Sequence, residues 1–204
     1  MSTALKLDRQ KLYTYADLLN WPENERWELI DGVPYLNGVP YGGVETPHAM
    51  ASPNRRHQKI SMNLSREFSL YLKDKTCEVF HAPFDVRLFA DKDKDADDDK
   101  TVVQPDLLIV CDPDKLKNGK AVHGAPDLVI EILSPSNSST DTMTKFQKYL
   151  KAGVHEIWHV DPEINKVQIF TLVNGNYDIS LYGADDLVPV AVLPGFKINM
   201  KDIF

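Results

Sequence analysis

Two stretches, Gln104-Pro105-Asp106-Leu107-Leu108-Ile109-Val110 and Pro126-Asp127-Leu128-Val129-Ile130-Glu131-Ile132-Leu133, decide how this chain is read. Each is a short apolar run bounded by proline, the pattern of a buried strand. Each also carries a carboxylate, Asp106 in the first and Glu131 in the second. A carboxylate among buried apolar residues needs a partner, a proton or a metal ion, because desolvation penalises its charge. Side by side, the two strands would aim Asp106 and Glu131 at one point and so form a site for a hard divalent cation. The alternative is a turn-capping Asp after Pro105 and a structural Glu at a strand end. Asp127 repeats the Pro-Asp dipeptide, but it stands four residues from Glu131, roughly 13 Å along one strand, too far to share an ion easily. It reads as the residue that opens the second strand.

Outward from this pair, the pattern predicts a helix over 15–21, stopped near Pro22, and a strand over Trp27-Glu28-Leu29-Ile30. Asp31-Gly32 then turns a hairpin into 33–36. The Gly- and Pro-rich stretch 37–53 reads as a loop. A long helix covers about 56–73, with Ile60, Leu64, Phe68 and Tyr71 on one stripe. Residues 77–89 read as strand interrupted at Pro83, followed by a charged loop over 91–100. After the two acid-bearing strands, Ser138, Ser139, Thr140 and Asp141 are N-cap candidates for a helix ending at Ala152, with Met143, Phe146 and Leu150 on its buried side and Gly153 as C-cap. A strand over 156–160 and a hairpin around Asn174-Gly175 complete the pattern. No repeat or linker divides the chain, so residues 1–204 read as one domain.

Composition narrows the class. The net charge is −7 and the hydrophobic content 43%, which is ordinary for a globular protein and excludes a generally basic nucleic-acid coat. No apolar run approaches the roughly 20 residues of a membrane span, and Met1 to Lys6 hold no secretory stretch. Cys77 and Cys111 have no metal or redox spacing and read as reduced thiols of a cytoplasmic protein.

Several phrases together carry a resemblance: Trp27-Glu28-Leu29-Ile30-Asp31-Gly32, Arg56-His57-Gln58, Gln104-Pro105-Asp106, Val129 through Ser136, and Lys145 through Tyr149 to Gly153-Val154-His155-Glu156-Ile157-Trp158. They resemble the PD-(D/E)XK nuclease superfamily and, within it, the Uma-two family of endonucleases. The resemblance implies a mixed α/β restriction-endonuclease-like core: a mixed central sheet flanked by helices, with added N-terminal and C-terminal β-hairpins. It also implies a metal-dependent endonuclease that hydrolyses phosphodiester bonds of DNA. Asp106 and Glu131 would hold Mg2+ (or Mn2+), with the carbonyl of Ile132 as a further ligand. The superfamily lysine belongs two residues after the Glu, where this chain has Leu133. The resemblance passes that role to Lys145 on the next helix, against a reading of Lys145, Lys148 and Lys151 as a solvated face. Glu28 matches a third acid, with Glu67 as its rival. A homodimer would let two sites cut two strands. DNA or RNA as substrate stays open, as does a non-catalytic nucleic-acid-binding or structural role on the same fold.

Three other groups compete for attention. Arg55, Arg56, His57 and Lys59 open the long helix, either as a phosphate site or as solvated cations, with His57 as a local cap. His155-Glu156-Ile157-Trp158-His159 spells a zinc-protease pattern, which works only on a helix, where i and i+4 share a face. Gly153 and Pro162 argue for a strand. Asp91-Lys92-Asp93-Lys94-Asp95 mimics a calcium loop but has Ala96 where Gly is required and Val102 where Glu is required. It reads as a solvated loop.

Overall fold

The computed structural model describes residues 5–42, 54–91, 97–134 and 139–204, with side chains from 142 onward in the last segment. In chain order the elements are α1 (Tyr15–Leu18), β1 (Trp27–Ile30), β2 (Val33–Leu36), β3 (Val39–Pro40), α2 (Arg55–Leu72), β4 (Glu78–His81), β5 (Asp85–Arg87), β6 (Val102–Val103), β7 (Leu107–Val110) and β8 (Ala121–His123). There follow β9 (Leu128–Ile132), α3 (Ser139–Ala152), β10 (Glu156–Asp161), β11 (Lys166–Val173), β12 (Asn176–Gly183), β13 (Leu187–Pro189) and β14 (Lys197–Asn199). The capping candidates at 138–141 and residues 92–96 of the calcium-like stretch lie outside what is described.

Local chemistry explains most boundaries. Asp31-Gly32 and Asn174-Gly175 both adopt positive φ (52° and 82°, 50° and 82°), the paired left-handed geometry of a two-residue hairpin turn. α2 starts where the Asn54 side chain accepts a hydrogen bond from His57 N at 2.9 Å, which satisfies one otherwise unpaired amide of the first turn. Its buried stripe is Ile60, Leu64, Phe68 and Leu72. Leu72 thus takes the place expected of Tyr71, which instead stacks on Phe196 at the rim, ring centroids 4.0 Å apart. α3 ends at Gly153, φ 74°.

Among the described residues the strands form two six-stranded sheets and one two-stranded ribbon. The first sheet runs β3-β2-β1-β6-β5-β8, the second β12-β11-β10-β9-β7-β4, and β13 pairs with β14. The mixed α/β class is as expected, but the two hairpins are not appendages: β1–β2 builds the first sheet and β11–β12 extends the second. The strands β6 and β8 have only two and three residues, too short for alternation to reveal. The strand expected over 77–89 divides at the cis Ala82-Pro83 bond into β4 and β5, which belong to different sheets.

The central strands of the second sheet, β7 and β9, are buried on both faces. Leu107, Ile109, Leu128, Ile130 and Ile132 face α2 and pack with Ile60, Leu64 and Phe68. Leu108, Val110, Val129 and Ile157 face α3 and pack with Tyr149 and Val154. This explains why β7 and β9 read as continuous apolar runs. Each large side chain so buried contributes about 1.5–3 kcal/mol. Cys77 and Cys111 are joined by a disulfide, which corrects the expectation of reduced thiols. The β4–β7 register, Glu78 opposite Val110, carries one step further to set the two cysteines face to face. No linear spacing could announce that pairing.

Candidate active site

The register between β7 and β9 assembles the centre. Leu107 lies opposite Ile130 and Leu108 opposite Val129, so one more step places Asp106 opposite Glu131. Side chains of directly opposed residues share a face, with Cβ atoms about 4.5–5.5 Å apart. Glu131 is in phase with Val129 and points toward α3, whereas Asp106, just before β7, meets the Ile132 amide and the first turn of α2. Ile132 N donates to Asp106 Oδ2 at 2.8 Å, which fixes that carboxylate against β9. Each residue is 8% exposed.

Glu28 comes from the other sheet. It sits in β1, 2% exposed, and its Oε1 accepts from Gln104 N at 2.7 Å. Lys145 of α3 joins the two sheets: its Nζ is 3.0 Å from Glu28 Oε1 and 2.9 Å from Glu131 Oε1. One turn further, Tyr149 OH donates to Glu131 Oε1 at 2.6 Å. The face of α3 therefore differs in part from the one expected: Phe146 and Leu150 do pack against the core. Met143 is 56% exposed, whereas Lys145 is 4% and Tyr149 0% exposed. Hydrophobicity ranks Met above Lys, but two buried carboxylates require a cation, and the lysine stem buries readily along apolar surface.

Asp106 has further partners. His57, from the first turn of α2, places Nε2 3.2 Å from Asp106 Oδ2. Arg26 Nη2 donates to the Gln104 carbonyl, and its charge acts on Glu28, Asp106 and Glu131. These contacts split the acidities. Burial would raise Asp106 and Glu28. Asp106 is nonetheless held below the usual carboxylate range by His57, Arg26 and the Ile132 amide, and Glu28 by Lys145, Arg26 and the Gln104 amide. Glu131 goes the other way: burial, with repulsion by Asp106 and Glu28 added to it, raises it by more than Lys145 and Tyr149 can offset. A buried carboxylate in that position takes a proton or a further cation. A cleft of 450 Å³ opens on Asp106 and is lined also by Arg26, His57, Ser61, His81 and Gln104.

The donor set fits a hard cation and not zinc. Among the described residues no group of three or more His, Cys, Asp and Glu is arranged to hold a metal. Two facing carboxylates suit an ion that keeps several waters, as Mg2+ does. Zinc sites use three or four protein ligands. Of the other candidates, Glu67 pairs with Arg66 on the solvent side of α2, Oε1 to Nη2 2.9 Å, and is not at the site. Asp127 accepts from Cys111 N at 2.7 Å and closes the end of the ladder. Arg55, Arg56 and Lys59 are exposed, and Arg56 donates to the Asn165 side chain. Leu133 lies just beyond β9 and donates its amide to Val160 O at 2.8 Å. Arg26, Gln104 and Tyr149 are site residues that pattern reading missed. Their only signals were position: Gln104 precedes Pro105-Asp106, Arg26 precedes β1, and Tyr149 stands one helical turn after Lys145.

His155 immediately precedes β10 and His159 lies within it, which overturns the helix that a zinc-protease pattern needs. His155 is exposed beside Asp127, Nδ1 to Oδ1 3.7 Å. His159 stands beside Glu131 in the parallel β9–β10 register, wedged between Phe146 and Phe170. Its Nε2 has no hydrogen-bond partner among the described residues. Burial lowers its pKa from 6.5 to about 4. A histidine kept neutral in this way stabilises the fold above its unfolded value, and that stability is lost as pH falls from about 6.5 to about 4. The loss amounts to at most about 3 kcal/mol. His159→Phe is expected to reduce the difference in urea midpoint between neutral pH and about pH 4.5; an identical difference in both proteins would show that His159 is not kept neutral.

Comparison with known proteins gives three results. The model of the Uma2 family, described as "Putative restriction endonuclease", matches residues 15–201. An uncharacterized protein of Synechocystis sp. (strain PCC 6803) is 27% identical over 135 residues, which cover 65% of this chain and 60% of that protein; less than two thirds of that relative is therefore matched. The crystal structure of a "putative nuclease belonging to DUF820" from Anabaena variabilis ATCC 29413 superposes with a TM-score of 0.68 at 20% identity, over 94% of this chain and 97% of that one. At that identity the likeness establishes the fold. Among the described residues no helix is long and apolar enough to cross a membrane.

Proposed function

We propose, from the premise that this chain belongs to the Uma2 family of restriction-endonuclease-like proteins, that it is a metal-dependent endonuclease hydrolysing phosphodiester bonds of DNA. The observation that carries this reading is the meeting of Asp106, Glu131, Glu28 and Lys145 across two sheets and one helix. Asp106 and Glu131 would hold Mg2+ (or Mn2+). Bound there, the ion would neutralise charge on the phosphate and lower the pKa of a water.

The chain's own residues do the rest. The Ile132 amide and His57 orient Asp106, while Tyr149 fixes the rotamer of Glu131. Glu28, held by the Gln104 amide, anchors the Lys145 ammonium. That ammonium is a preorganised charge beside the reacting phosphate and a donor that can orient the attacking water. Its burial supports the catalytic reading over a non-catalytic nucleic-acid-binding or structural member, because a solvated lysine would serve neither purpose. The cleft past Asp106, His57 and Arg26 is the route for substrate.

The test is nicking of supercoiled plasmid by purified protein. Cleavage is expected with Mg2+ or Mn2+ and is expected to vanish with EDTA. Nicking that survives EDTA, or no nicking with any divalent ion, would overturn the reading. The same assay on RNA fixes the substrate. Sedimentation tests the proposed homodimer, which would supply one site per strand, and cell fractionation tests a cytoplasmic location.

A further inference from the structure

The cleft that opens on Asp106 shares a wall with a second hollow of 460 Å³ between α1, β1 and β5. Glu23, Glu25, Pro83 and Gln104 line both. The two spaces differ in chemistry. The cleft offers Arg26 and His57 beside Asp106. The hollow offers Trp21, Trp27, Phe84, Leu18 and Leu19; besides Glu23 and Glu25, which the cleft shares, its charged lining is Asp85 and Lys120. Without Arg26 and His57, and with more apolar surface, it suits a phosphate less well than the cleft does. An uncharged aromatic ring bearing N–H donors would be attracted, by stacking and by the acceptors.

The floor carries such an acceptor. Gln104 Nε2 donates to Asp85 Oδ1 at 2.8 Å, which turns the amide so that its Oε1 is buried with no hydrogen-bond partner among the described residues. Leaving a buried acceptor unmatched costs about 1–3 kcal/mol, and a turn of the Gln104 side chain toward the hollow would offer it to the exocyclic amine of a base. The volume lies within the roughly 300–1,000 Å³ of small-ligand sites. Gln104 and Asp106 are two residues apart on extended chain, about 7 Å, so a phosphate at Asp106 and the base of an adjoining nucleotide can occupy the two spaces together.

We propose that this hollow receives one amine-bearing nucleobase, turned out of its stack, next to the phosphate being cut, so that the preferred substrate is single-stranded or locally unpaired DNA. The inference rests on the nuclease reading above and names its substrate class. A base inside an intact duplex cannot reach such a hollow without leaving its partner.

The experiment uses the full chain with Glu131→Gln, in magnesium, to measure binding without cutting. The probes are a short single strand carrying 2-aminopurine at one position at a time, the same strand with an abasic site at that position, and the corresponding blunt duplex. One position is expected to give a large fluorescence change. An abasic site there should weaken binding about tenfold, and the duplex should bind about tenfold more weakly than the strand. Leu19→Glu, which adds a negative charge at the exposed rim (Leu19 is 47% exposed), should erase both the signal and the strand preference. Equal affinity for strand and duplex with no sensitive position would overturn the base site while leaving plasmid nicking, and so the nuclease reading, intact. Binding to neither form, together with no nicking by the parent protein, would overturn both.

Discussion

Glu131→Gln is expected to abolish metal-dependent nicking of plasmid DNA, lowering the rate by on the order of a thousandfold or more, while the fold survives. The change removes one charge and almost no volume. The amide can still accept from Tyr149 OH and Lys145 Nζ, which bond Glu131 Oε1 at 2.6 and 2.9 Å. The effect on stability has a definite sign. Glu131 has a folded pKa above its ordinary value, through burial and the nearby charges of Asp106 and Glu28. An ionised carboxylate of that kind opposes folding at pH above the raised value, and the opposition fades as pH falls through it. Without metal at neutral pH, Glu131→Gln should therefore be at least as stable as the parent in a urea titration. Loss of activity together with loss of fold would make Glu131 a structural residue. Equal cutting by variant and parent would remove it from the reaction.

Lys145→Ala is expected to be damaging in two separable ways. It leaves Glu28 and Glu131, 2% and 8% exposed, without the ammonium between them, and an uncompensated buried charge costs about 3–5 kcal/mol. It also removes the charge beside the reacting phosphate, which is expected to cost about a hundred- to a thousandfold in rate. Pairing Lys145→Met with Glu28→Gln separates these effects. The double variant should regain much of the unfolding free energy, since less charge is left unpaired, but none of the cleavage. An unchanged urea midpoint in Lys145→Ala would deny the buried ion pairs. An unchanged cleavage rate, measured where the variant is folded, would exclude Lys145 from catalysis.

Much of this architecture could be read from the chain because its signals are local. The apolar runs after Pro105 and Pro126 are strands since each is buried on both faces. The Asp-Gly and Asn-Gly turns sit where they must, because left-handed geometry selects those residues. Asp106 and Glu131 could be singled out because a buried carboxylate beside such runs needs a partner, a proton or a cation. Lys145 was named through resemblance, but its burial was not: residue hydrophobicity put Met143 inside with Phe146 and Leu150, and the carboxylates waiting on β1 and β9 drew the buried face round to Lys145 and Tyr149 while Met143 turned outward. Likewise Cys77 and Cys111 are 34 residues apart and meet only through strand register.

The sequence by itself thus determined the longer strands, the hairpin turns and the long helix, and singled out two acids beside apolar runs, all consequences of short-range periodicity and of the cost of a lone buried charge. The tertiary structure alone decided that β1 belongs to a different sheet from β9, that Glu28 and Glu131 share one ammonium, that His57, Arg26 and Gln104 wall the cleft, and that Cys77 meets Cys111. These outcomes depend on which distant segments pack together. Long-range pairing is chosen by the sum of many contacts, and no single stretch of chain records it.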